Sequence, residues 1–97
     1  MIVHIVLFKW QPNTSPEKIA SVMSALRGMK GEISEIIDLS CGDNFSENSQ
    51  GFPNGLVVKF KDKAALDAYA KNSHHQEIIQ TLIKPILADK ITVDYEF

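Results

Sequence analysis

The sequence predicts an α+β domain of the ferredoxin-like type, a βαββαβ chain folded as one four-stranded antiparallel sheet with its helices on one face. Three observations carry this. Four segments alternate with the period of a strand and two repeat with the period of a helix. Their order is strand, helix, strand, strand, helix, strand. The first strand is apolar on both faces, so it sits centrally and is covered on both sides. At 97 residues, the whole of 1–97 makes one domain with a modest core.

Met1 to Trp10 is β-branched and aromatic, with no Gly, Pro, Asn or Asp. Val3, Ile5, Leu7 and Lys9 share one face; Ile2, His4, Val6, Phe8 and Trp10 share the other. The odd face is plain aliphatic, the kind expected beneath helices. The even face mixes aromatics with a histidine, as a pocket wall does. The first helix runs from about Pro16 to Arg27 or slightly beyond. Its start is a capping box of Thr14 with Glu17, or Ser15 as cap with Pro16 in the first turn. Ile19, Val22, Met23, Leu26 and Met29 form its apolar stripe, and Gly28 and Gly31 are candidate terminators.

Glu35–Gly42 reads as the second strand and Leu56–Phe60 as the third, joined by a polar loop, Asp43–Asn54, too long for a tight hairpin. Asp62 caps the second helix, which Asn72 and Ser73 interrupt; Ser73 then caps a segment carrying His75, Ile78, Ile79, Leu82 and Ile83. Pro85 kinks or ends it. Lys90–Phe97 is the fourth strand.

A net charge of −2 with scattered Lys and Arg gives no general attraction to nucleic acid or anionic membrane. The lone Cys41 suits a reducing compartment, no apolar run is long enough to span a membrane, and the start lacks signal-peptide character. The expected location is the cytoplasm. Helices on one face leave the other open, and the alternation assigns it Val6, Phe8 and Trp10. An apolar sheet face of this kind needs a cover, and the simplest is a second copy: a twofold homodimer, sheet against sheet.

Met1–Trp10, the run Phe60–Tyr69, His75, Lys84–Leu87 and the ending Val93–Glu96 together resemble the stress-responsive dimeric α/β barrel (Dabb) family, over essentially the whole chain. The resemblance implies a ferredoxin-like subunit that pairs with a second into a barrel-like dimer. The loop with Gly42, Gly51 and Gly55 has no phosphate-binding pattern and reads as a flexible lid or edge over the barrel mouth. A plant polyketide cyclase of this family closes a linear thioester into a ring by intramolecular aldol condensation. It uses a tyrosine, a histidine six residues later, a first-strand histidine and another at the start of the third strand. Tyr69, His75 and His4 match the first three; the fourth position holds Asn54, and the family's His-Pro before the helix histidine is Asn72-Ser73 here.

These residues define the candidate site: His75, Tyr69 and His4 as catalytic groups, Asn54 and Phe8 as substrate contacts. A histidine at a helix start tends to stay neutral and basic, and a tyrosine beside it can polarise a carbonyl. The plainer alternative is a capping histidine, a core tyrosine and a core histidine. His74 should point to solvent, and Asp94 and Glu96 read as solvent or dimer-rim charges. Cys41 reads as a small buried residue. No metal motif is present, and adjacent histidines on a helix do not face one site.

Three functions follow. One is a cofactor-independent isomerase, cyclase or lyase moving a proton at a carbonyl substrate. The second is a module that binds a small apolar ligand, and the third is a stress-protective dimer without pocket chemistry.

Overall fold

Each helix begins on a side chain that the sequence supplies for it. The first helix, α1 (Pro16–Glu32), follows β1 (Ile2–Trp10). Ser15 Oγ accepts from Lys18 N at 3.2 Å, with Pro16 in the first turn. Thr14 instead donates to Gln11 O at 2.6 Å. The helix outlasts both glycines. Neither has the positive φ of a left-handed terminator, and buried Met29 and Ile33 hold the last turn against the core. Ile36, expected in the second strand, is a buried turn residue, so β2 begins later, at Asp38–Asp43. Strand β3 covers Asn54–Phe60, and Asp62 caps α2 (Lys63–Lys71) through Ala65 N at 2.9 Å.

After α2 come α3 (Ser73–Ile78) and a π-helical turn, Ile79–Ile83. Lys84 N reaches back five residues to Ile79 O at 2.8 Å, and the helix ends before Pro85. Strand β4 (Leu87–Glu96) completes a four-stranded sheet in the order β2-β3-β1-β4, antiparallel throughout. The computed structural model describes all of residues 1–97. No helix is long and apolar enough to cross a membrane.

The two faces of β1 lie opposite to the sequence expectation. Ile2, Val6, Phe8 and Trp10 pack beneath the helices, in one core with Val22, Leu26, Met29 and Ile33. Across the β1–β3 ladder they meet Leu56, Val58 and Phe60, each 2% exposed or less. Bulk decides the choice. Burying a large apolar side chain contributes about 1.5–3 kcal/mol, so the face with the aromatic rings goes inward. Trp10 also needs a buried acceptor for its N–H, and Asn54 Oδ1 on β3 provides it at 2.7 Å.

Val3, Ile5 and Leu7 therefore belong to the face turned away from the helices, where they pair with Tyr95, Val93 and Ile91 of β4. Those three β4 residues are 45–50% exposed. The open apolar face exists, but these residues make it, not Val6, Phe8 and Trp10.

The long loop folds back on itself. Asn44 N donates to Pro53 O at 2.8 Å and Asn44 Nδ2 to Phe52 O at 2.9 Å. Phe52 is buried, with the Lys9 ammonium 4.5 Å from its ring centre.

Candidate functional site

A cavity of about 430 Å³ lies between the helix-facing side of the sheet and the α2–α3 segment. Its sheet wall is His4, Val6, Phe8 and Leu56. Its helix wall includes Leu66, Tyr69, His75, Ile79 and Ile83. Along the edge strand it is bounded by Leu87, Lys90, Thr92 and Asp94. The register explains that edge. Lys90, Thr92 and Asp94 stand opposite Phe8, Val6 and His4, on the helix-facing side, and all three remain exposed. No helix covers this polar strip of β4, and the cavity opens there.

The inversion of β1 brings His4 to the same side as Tyr69 and His75. The ring centres of His4 and Tyr69 are 5.8 Å apart, near perpendicular; those of Tyr69 and His75 are 4.1 Å apart at 36°. A break in the helix makes the second contact. Asn72 is extended (φ −61°, ψ 132°), and its side-chain oxygen accepts from His74 N at 2.9 Å and His75 N at 3.2 Å. Asn72, not Ser73, is the cap. The last turn of α2 and the first of α3 are thereby folded face to face, with Tyr69 on one and His75 on the other.

His75 Nδ1 lies 3.4 Å from Ala70 O. A carbonyl only accepts, so Nδ1 carries the proton and Nε2 keeps its lone pair in the neutral ring. Burial lowers the His75 pKa most; the Ala70 hydrogen bond works against this, and Coulomb repulsion from His4, when protonated, and from Lys90 adds to the lowering. The ring is a neutral base at pH 7. Burial pushes the Tyr69 hydroxyl well above the ordinary phenol range, so it remains a proton donor. That hydroxyl has no hydrogen-bond partner within the chain. Since no fully enclosed side-chain polar atom is left unpaired, it is reachable from the cavity.

Asp94 is the residue that sequence reasoning missed. Its carboxylate bonds His4 Nδ1, directly across the β1–β4 ladder. A carboxylate only accepts, so this bond fixes the tautomer with the Nδ1 proton and frees Nε2. The signal was the alternation of β4, which places Asp94 with Lys90 and Thr92 on the side opposite to Ile91, Val93 and Tyr95.

Phe8 lines the cavity and stacks on Trp10, ring centres 5.2 Å apart at 8°. Asn54 lies outside it: its oxygen accepts from Trp10 Nε1, and its Nδ2 donates to Asp43 Oδ1 at 3.0 Å. It reaches the cavity only through the Trp10–Phe8 stack. The Asp43–Asn54 loop, expected as a lid, contributes nothing to the lining. His74 is half-buried and also outside it. Cys41 is half-buried, with its Sγ 3.6 Å from Met23 O, and burial raises its thiol pKa. No group of three or more His, Cys, Asp or Glu side chains is arranged to hold a metal ion.

Residues 2–97 match the family described as the Stress responsive A/B Barrel Domain. The chain is 25% identical over 96 residues to a stress-response A/B barrel domain-containing protein of Arabidopsis thaliana, covering 98% of this chain and 36% of that one. It thus spans about a third of that relative's length. Among solved structures, a dimeric ferredoxin-like protein of unknown function from Jannaschia sp. CCS1 is 31% identical, with a TM-score of 0.82, covering 99% of this chain and 98% of that one. The hydroxynitrile lyase of Passiflora edulis has the same fold at 14% identity, with a TM-score of 0.87, covering 97% of this chain and 90% of that one. The element order, the sheet topology and the match over residues 2–97 agree: the chain belongs to the stress-responsive A/B barrel (Dabb) family.

Proposed function

We propose that this protein is a cofactor-independent small-molecule enzyme of the isomerase, cyclase or lyase type, moving a proton at a carbonyl substrate. The observation that supports this reading is that His4, Tyr69 and His75 all line one cavity large enough for a small ligand. His75 Nε2 takes a proton from the carbon beside the carbonyl. The Tyr69 hydroxyl donates to the carbonyl oxygen as negative charge builds there. The proton returns to carbon or oxygen from the His75 imidazolium, or from His4 held in its tautomer by Asp94. Phe8 and its aliphatic neighbours hold the substrate's apolar part. The Passiflora protein is named a hydroxynitrile lyase, which supports the view that this fold accommodates catalysis.

The working unit in this reading is a homodimer closed through the open sheet face of Val3, Ile5, Leu7, Ile91, Val93 and Tyr95. The dimeric Jannaschia protein and the exposure of the β4 residues support it. A second reading, a binding module without turnover, is favoured by the mostly apolar walls. A panel of carbonyl substrates, assayed with wild type and His75→Ala, separates the two. Turnover that falls at least about a hundredfold in the variant supports the enzyme. Ligand binding with no His75-dependent turnover supports the module.

A further inference from the structure

The cavity carries a charge arrangement that proton transfer leaves unused. Lys84 and Lys90 both line it, and neither forms an ion pair. Two acids also line it, but Asp94 is occupied by His4. Asp67 borders a neighbouring groove with Asp94 and Glu96, at the far end of β4 from Lys90. The four residue steps from Lys90 to Asp94 span about 13 Å along the strand. Lys90 thus stands at the Phe8 end of the cavity, with Lys84 also on its lining, while His4 of the histidine–tyrosine cluster stands at the Asp94 end.

The placement of Lys90 is not incidental to the fold. It stands opposite Phe8 on the side of β4 that faces the helices, where an aliphatic residue would extend the wall that Val6, Phe8 and Leu87 make. An unpaired ammonium in that position, next to apolar surface and open to the cavity, binds an anion more strongly than it would in bulk water. The positive charge is felt inside, since Lys90 acts on the His75 ring.

We propose that the cavity selects an anionic ligand: a carbonyl compound with an apolar body and a carboxylate, the carboxylate held by Lys90 and Lys84 and the carbonyl set among His4, Tyr69 and His75. The position of the carbonyl rests on the proton-transfer reading above; the carboxylate preference does not.

The test is isothermal titration of octanoate and of octanamide, a neutral analogue of the same length, into wild type, the double variant Lys84→Met/Lys90→Met, Lys90→Arg and His75→Ala. Both lysines are exposed, so the double variant is expected to fold. Octanoate should bind wild type about tenfold tighter than octanamide. The preference should vanish in the double variant and persist in Lys90→Arg and in His75→Ala. Equal binding of the two probes, no binding of octanoate below millimolar concentration, or a preference that survives the double variant overturns the proposal. A lysine-dependent preference without His75-dependent turnover leaves it standing and overturns the catalytic reading. His75-dependent turnover that treats anionic and neutral substrates alike does the reverse.

Discussion

The imidazole of His75 lies 4.1 Å from the ring of Tyr69, centre to centre, although the chain changes direction between them. The link is Asn72, whose side-chain oxygen holds both the His74 and His75 amides. Asn72→Ala removes the cap and should cost about 1 kcal/mol of stability. If the Tyr69–His75 contact depends on this turn, kcat/KM should fall about tenfold or more at temperatures where the variant is still folded. Thermal melts and kinetics on the same sample check both, and Asn72→Asp, which keeps an acceptor oxygen, should restore most of the loss.

The lowered His75 pKa makes a prediction about pH. Its folded value lies below the ordinary 6.5, so between the two the unfolded chain binds more protons than the folded one. Stability from this group therefore rises with pH through that window and is lost as pH falls through it. Denaturant titrations from pH 5 to 8 should show a steeper acid-side decline for wild type than for His75→Gln. The acid limb of kcat/KM should also fall below pH 6.5, because the neutral ring is the active form.

Asp94→Asn tests whether the carboxylate does more than hold His4 in place. Asp94 is 44% exposed, so its loss should change stability by no more than about 1 kcal/mol. An amide can leave His4 in the other tautomer and cannot stabilise its imidazolium, so turnover should fall about tenfold to a hundredfold. The chemical shifts of the His4 ring nitrogens report the tautomer directly. An unchanged tautomer with unchanged turnover would remove Asp94 from the mechanism.

Val93 stands opposite Ile5 near the middle of the open sheet face and is 45% exposed in the single chain. Val93→Asp would put an unpaired charge at the centre of the proposed interface, which costs several kcal/mol when buried. Light scattering after size exclusion should show a dimer for wild type and a monomer for the variant at micromolar concentration. A dimer that survives the aspartate uses another surface.

Asn54→Ala should act on stability before activity. It leaves the buried Trp10 N–H without its acceptor, at a cost of about 1–3 kcal/mol. Since Asn54 lies outside the cavity, turnover should fall far less than in His75→Ala. Chemical denaturation and kinetics on both variants make the comparison.

The order of elements was readable because period and turn residues are local signals: Pro16 after Ser15, the Asn72-Ser73 break, Pro85 at the helix end. The orientation of β1 was not, because both of its faces are apolar and the choice between them is tertiary. The deciding information lay elsewhere, in β3 and β4. Leu56, Val58 and Phe60 form the bulkier face of β3, and the apolar side of β4, Ile91, Val93 and Tyr95, joins the face of Val3, Ile5 and Leu7. Asp94 was hidden for the same reason, since its partner His4 is ninety residues away. Gly28 and Gly31 misled because glycine ends a helix only where the backbone turns left-handed, and here it does not.

One irregularity in β4 has a consequence for the whole arrangement. Leu87 pairs with Trp10 and Asp89 with Lys9, so Ala88 is an extra residue in the ladder. It acts as a phase shifter. In a regular ladder that kept every residue, Ala88 would oppose Trp10, and Leu87 would share the parity of Ile91 and Val93 and point toward the neighbouring subunit of the proposed dimer. The bulge turns Leu87 inward on the side of Lys90, where it finishes the cavity wall. Deleting Ala88 would leave Leu87 opposite Trp10 in a regular ladder, still facing the cavity; straightening the bulge with Ala88 kept is what would turn Leu87 outward. The two surfaces are written on alternate residues of the same strand, and the bulge at Ala88 keeps them in register.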